Sequence, residues 1–155
     1  MLTMSAGPIK ATNAFEDALL LFGRIAFAAA FLPGGIRKLF NFSGFAEGLA
    51  PRGLPVGVPL PLPDLIAALA VTVEVIAPLM ILVGLGTRWG AILLIAFTIM
   101  ATATSHRYWE FADAAERSRH LSALIRNLAY MGGLAFLYVA GPGRWSVDAL
   151  RHRVP

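Results

Sequence analysis

Residues 65–83 read "LIAALAVTVEVIAPLMILV", and Glu74 is the only charged side chain among them. At about 1.5 Å per residue this run is long enough to cross the ~30 Å hydrocarbon core of a bilayer as a helix. Three further stretches have similar character: about Phe15 to Leu39, about Trp89 to Ser105, and about Leu121 to Ala140. Together with the first, set at about Asp64 to Val83, they predict an all-α integral membrane protein, a four-helix transmembrane bundle. The composition agrees. Of the 155 residues, 57% are apolar and only 14% are charged, against roughly 25% charged in soluble domains. A surface facing lipid needs few charges.

The connections differ in kind. "GLGTRWG" (84–90) predicts a tight turn, so the second and third spans are antiparallel neighbours. The loop at 40–63 between the first two spans is Pro-rich, holding five of the ten prolines, yet it is apolar, with Phe40, Phe42 and Phe45. A lid on the bundle mouth, or a short interfacial helix followed by an extended strap, fits that composition. Residues 106–120, with Tyr108, Trp109 and Phe111 among charges, suit the headgroup level. The expected organisation is a flexible segment over 1–14, a membrane domain over 15–140 and an interfacial tail over 141–155 anchored by Trp145 and arginines. Acidic Glu16 and Asp17 precede the first apolar stretch, which argues for a retained helix rather than a signal peptide. Basic residues are nearly balanced between the two sides, and the basic tail favours termini in the cytoplasm.

Several function classes fall away. The chain has no cysteine, which excludes disulfides, thiolate metal sites and iron–sulfur clusters. Electrons, if they pass here, travel on a bound cofactor or reside in a partner. No nucleotide-binding glycine pattern occurs, and the net charge of +4 lies in loops and helix ends rather than in a nucleic-acid-binding stripe. Haem is not expected either: His106 is the one histidine at a span end, and His120 and His152 lie in polar segments expected at other depths.

A charge inside the membrane requires a partner or an inward orientation. Arg24 and Glu74 both fall about nine or ten residues from the terminal ends of their spans, roughly 13 to 15 Å deep. An Arg24–Glu74 pair is therefore the expected partnership, either a structural clamp or a ligand or proton site. Helical phase places Lys38 on the same face as Arg24. Lys38, His106, Arg126 and Asn127 form a second polar group near the opposite face, suited to donate to a quinone or another polar head group. Alanine and glycine pairs (Ala26 with Ala30, Ala129 with Gly133, and Gly132) are expected at helix contacts.

The ordered set Arg24, "GIRK" (35–38), Glu74, "GLGTR" (84–88), His106, Phe111, "RNL" (126–128), "GG" (132–133) and "GPGRWSVD" (141–148) resembles the DoxX family of small bacterial and archaeal membrane proteins, over roughly residues 16–150. The loop "FAEGLAPRGLPVG" (45–57) looks like that family's first connection. The resemblance implies a four-helix protein of the inner membrane. Some relatives are associated with thiosulfate oxidation coupled to quinone reduction, others with oxidative-stress or aromatic-compound pathways. Two functions follow as expectations: a quinone-interacting membrane subunit of an oxidoreductase system, or a non-catalytic scaffold that docks a partner protein or a second copy. A small transporter in which Glu74 carries a proton is a third.

Overall fold

A computed structural model describes residues 13–49 and 61–151. The segment expected to be flexible at the N-terminus, up to residue 12, and most of the Pro-rich strap lie outside the described residues, as does His152. The elements are α1 (Ala14–Phe40), α2 (Phe42–Leu49), α3 (Pro63–Val83), α4 (Thr87–Ser105), a 3₁₀ turn (Tyr108–Glu110), α5 (Ala114–Ala140) and α6 (Val147–Arg151). Helices α1, α3, α4 and α5 are each long and apolar enough to span a membrane.

Local chemistry sets the ends of these helices. Asn13 Oδ1 accepts from the Glu16 amide at 2.9 Å, and Glu16 Oε2 accepts from the Asn13 amide at 3.1 Å, a reciprocal cap on α1. Acidic Glu16 and Asp17 in the first turn and basic Arg37 and Lys38 in the last complement the helix dipole. Pro33 and Pro78 lie within continuous helices. Helix α3 ends at Gly84, whose φ of 71° lets the chain reverse into α4 through Leu85 and Gly86. Helix α5 starts at Ala114, earlier than the span expected from Leu121. Asp113 caps it by accepting from the Glu116 amide at 2.9 Å, and the stretch that follows is made of good helix formers, with Glu116 paired to Arg119. Its first two turns are polar, so a search for apolar runs passes over them.

The four spans pack in chain order: α1 on α3, α3 on α4, α4 on α5, with α5 only lightly touching α1. The core joins all four through Phe31, Ala77, Ile81, Ala91, Leu94, Leu134 and Leu137. Large apolar side chains cover the outside, among them Phe22, Leu128 and Phe136, which are 68%, 62% and 78% exposed. Such a surface suits contact with acyl chains. Close helix approach falls at glycines other than most of those expected. Ala26, Ala30, Ala129 and Gly132 are exposed. A Cβ on Gly35 would sit 2.9 Å from the Glu74 carbonyl oxygen, one on Gly90 3.0 Å from the Ala77 carbonyl, and one on Gly133 2.8 Å from the Phe27 ring. Among the small residues singled out, Gly133 does serve a contact.

The C-terminal segment folds back across one end of the bundle. The Asp148 carboxylate accepts from the amides of Gly86 (3.0 Å) and Thr87 (3.4 Å), capping α4 from more than sixty residues away. The Asp148 amide in turn donates to the Gly84 carbonyl at 2.9 Å. Asp17, almost fully buried, accepts from the Arg144 amide at 2.8 Å, with the Arg144 guanidinium 3.7 Å away. Three helix ends are thereby tied together.

Two stability measurements in detergent check this packing. Gly35→Ala forces a methyl against backbone, an overpacking of about 1–3 kcal/mol, and should lower the thermal midpoint by several degrees, whereas Gly132→Ala, in open space, should leave it unchanged or raise it. Asp148→Ala removes the cap of α4 and should cost about 1–2 kcal/mol, with earlier proteolysis of the C-terminal segment.

Candidate functional site

The described residues hold two buried charge centres, one at the turn between α3 and α4 and one near the middle of α3. The register of α1 against α3 decides their composition. Gly34 and Gly35 lie against Glu74, and Arg24 lies against Gly84. Glu74 therefore faces the last third of α1, not Arg24. The expected Arg24–Glu74 pair does not form. Depth counted from the span ends misplaced the register by about ten residues, roughly 15 Å, because the first part of α1 runs past the end of α3 and packs on the C-terminal segment. A Cβ on Gly143 would lie 3.0 Å from Leu20.

Arg24 is nevertheless buried, only 1% exposed. Its Nη2 donates to the Trp145 carbonyl at 2.5 Å, and Asp148 is the countercharge nearby. Gly84 is required here twice over: for its positive φ, and because a Cβ would collide with Arg24 Nη1 and the Ser146 side chain. This centre holds the C-terminal segment and is closed to the outside.

The second centre is the Lys38–Glu74 pair, in which Lys38 Nζ donates to Glu74 Oε2. The Glu74 side chain is 8% exposed and that of Lys38 is 26% exposed. The local sequence explains the arrangement. Gly34 leaves room for the carboxylate, since a Cβ there would lie 2.7 Å from Oε1. One turn later, on the same face of α1, Lys38 reaches it. The Lys38 ammonium also sits near two aromatic rings, 5.2 Å from the centroid of Phe45 on α2 and 5.5 Å from that of Phe97 on α4. Both distances are within cation–π range. An ammonium has three donors, and one carboxylate oxygen takes one of them. The arrangement can present a donor to a further acceptor oxygen between aromatic walls.

The remaining expected residues are dispersed. Asn127 Nδ2 donates to Thr102 Oγ1 at 2.8 Å, tying α5 to α4. Arg126 is exposed on the outer face of α5. His106 caps the C-terminus of α4 and lies beside His120, with ring centroids 5.6 Å apart, and His120 stacks on Phe111 at 4.1 Å. His120 therefore shares the depth of His106, contrary to the expectation of separate depths, because α5 starts early enough to bring its first turns against the end of α4. Sequence reasoning did not select Phe45, Phe97, Thr102 or Asp148. Phe45 carried a signal, as an aromatic in a loop too apolar for water; Asp148 stood only as the last residue of the family-like stretch "GPGRWSVD", and Phe97 carried none.

The DoxX family profile matches residues 19–107, from α1 to the end of α4. Two curated relatives align along most of the chain. The inner membrane protein YphA of Escherichia coli K12 is 32% identical over 136 residues, covering 88% of this chain and 92% of the relative. The inner membrane protein YqjF of the same organism is 28% identical over 138 residues, covering 89% and 95%. No solved structure matches significantly. Four spans and these relatives make this a multi-pass inner-membrane protein, and the chain belongs to the DoxX family.

Proposed function

We propose that this chain is a quinone-interacting membrane subunit of a redox-linked system, and that Lys38 binds the quinone head group. The observation that supports this reading most is the Lys38 ammonium itself, partly exposed between the rings of Phe45 and Phe97 and held from behind by Glu74. A quinone ring offers a carbonyl oxygen and a flat apolar face, and its isoprenoid tail belongs in lipid. Lys38 Nζ donates a hydrogen bond to that oxygen. Phe97 supplies a face for the ring. Glu74 keeps the ammonium aimed, and Gly34 leaves room for the carboxylate. A bound quinone supplies electron-acceptor chemistry; with no cysteine in the chain, the electrons come from a further bound cofactor or from a partner. Arg24 serves the C-terminal segment on this reading, and Arg126 has no part in binding.

One observation favours the second reading, a non-catalytic scaffold that docks a partner. The buried charges of Arg24, Asp17 and Glu74 all have polar groups of this chain beside them, as a purely structural role requires. A double-variant cycle measures that role. Glu74→Leu alone leaves Lys38 without its carboxylate and should destabilise by about 3 kcal/mol, while Glu74→Leu with Lys38→Met should recover most of the loss.

Ligand titration separates the two functions. Purified protein in nanodiscs is titrated with a short-chain ubiquinone, following quenching of tryptophan fluorescence. Saturable binding is expected, weakened about tenfold or more in Lys38→Met and unchanged in Arg126→Ala. Absence of saturable binding, or equal affinity in Lys38→Met that still elutes as a folded species, would overturn the quinone reading in favour of the scaffold.

A further inference from the structure

We propose that α2 is a lid on the Lys38 site, and that Phe45 occupies the position over the ammonium that the ring of a bound quinone takes. This rests on the reading of Lys38 as the head-group donor. The two rings beside Lys38 are not equivalent. Phe97 lies on α4 and packs against the main core shared by all four spans. Phe45 lies on α2, whose apolar contacts form a separate small cluster of Ala46, Leu49 and Ala67, with Phe42, Phe45 and Ile66 against it. Displacing α2 therefore leaves the main core intact. A segment with so few buried contacts opens at low cost compared with a span.

The junction is built for such a movement. Helices α1 and α2 are separated by Asn41 alone, whose backbone (φ −124°, ψ 54°) is not helical. The Asn41 side chain folds against Gly44, where a Cβ would lie 2.8 Å from its amide nitrogen. A change of backbone at one residue swings Phe45 away from Lys38 while the Glu74 pair, set by α1 and α3, stays in place. Among the described residues, the Arg24 side of the bundle offers no comparable entry. Arg24, Trp145 and Asp148 close it with hydrogen bonds between α1, the C-terminal segment and α4. The ligand enters at the α2 end, and its ring replaces that of Phe45.

The two rings then respond to truncation with opposite signs. In the nanodisc titration with short-chain ubiquinone, Phe45→Ala removes a competitor and should bind about three- to tenfold more tightly with faster association. Phe97→Ala removes a wall and should bind more weakly. The chain has no native cysteine, so a second measurement is clean: Ala46→Cys with Ala67→Cys, bridged by a short thiol crosslinker, should slow association, and cleaving the bridge should restore it. Weaker or unchanged binding in a folded Phe45→Ala would overturn the lid, as would a bridged pair that binds as fast as the unbridged one. In both cases saturable binding to the unaltered protein leaves the quinone reading standing. No saturable binding to the unaltered protein overturns that reading and the lid with it.

Discussion

A carboxylate inside a bilayer needs a cation at its own depth, and in this protein two glycines fix that depth. Gly34 and Gly35 let α1 lie directly against α3 at Glu74. Any side chain at Gly35 would push on backbone, so the helices can approach closely at this point in their register and not a turn away. Everything charged inside the bundle follows from that contact. One turn beyond Gly34, Lys38 meets Glu74; some ten residues before it, Arg24 reaches the turn after α3. Sliding α1 by one turn, about 5.4 Å, would strand three charges in a low-dielectric interior at several kcal/mol each. The ion pair and the glycines thus specify one register together, the former by penalising slippage and the latter by permitting contact.

The sequence conveyed the spans well because their signal is local. A run of apolar residues around Glu74 has few alternatives to a buried helix, and the glycine at 84 marks its end. Partners were harder. Reading depth from span ends assumes that all helices begin at one plane, and α1 violates this by extending past α3 to meet the C-terminal segment. The adjacent pair Gly34–Gly35, followed one turn later by Lys38, was the better guide to where Glu74 finds its cation. Asp148 was beyond reach for a different reason: a cap donated across more than sixty residues leaves no periodicity to detect. The polar first turns of α5 fell between two searches, too charged for a span and too regular for a loop, and with them went the contact of His106 with His120.

The two charge centres differ in a way that stability alone does not require. At the Arg24 end, charges are spent on closing the bundle: the arginine is fully enclosed, the capping aspartate is tied to two amides, and a buried aspartate holds the neighbouring strand of chain. At the Lys38 end the carboxylate is enclosed but the cation is not. If register were the only need, an ammonium could be sealed as thoroughly as the guanidinium. Instead it keeps a quarter of its surface and is flanked by rings from two elements of unequal rigidity.

That asymmetry gives a physical basis for preferring a ligand site at the Lys38 end over one at Arg24. A group that must exchange partners cannot be held by every donor it has, and its cover must be cheaper to move than its support. Glu74 provides the support from within the most extensive helix–helix interface of the fold, that of α1 with α3. The cover is an eight-residue helix that rests through its own Ala46 and Leu49 on Ala67 of α3. The energy that holds Lys38 in place and the energy that shields it therefore come from different parts of the fold, so one can change without disturbing the other.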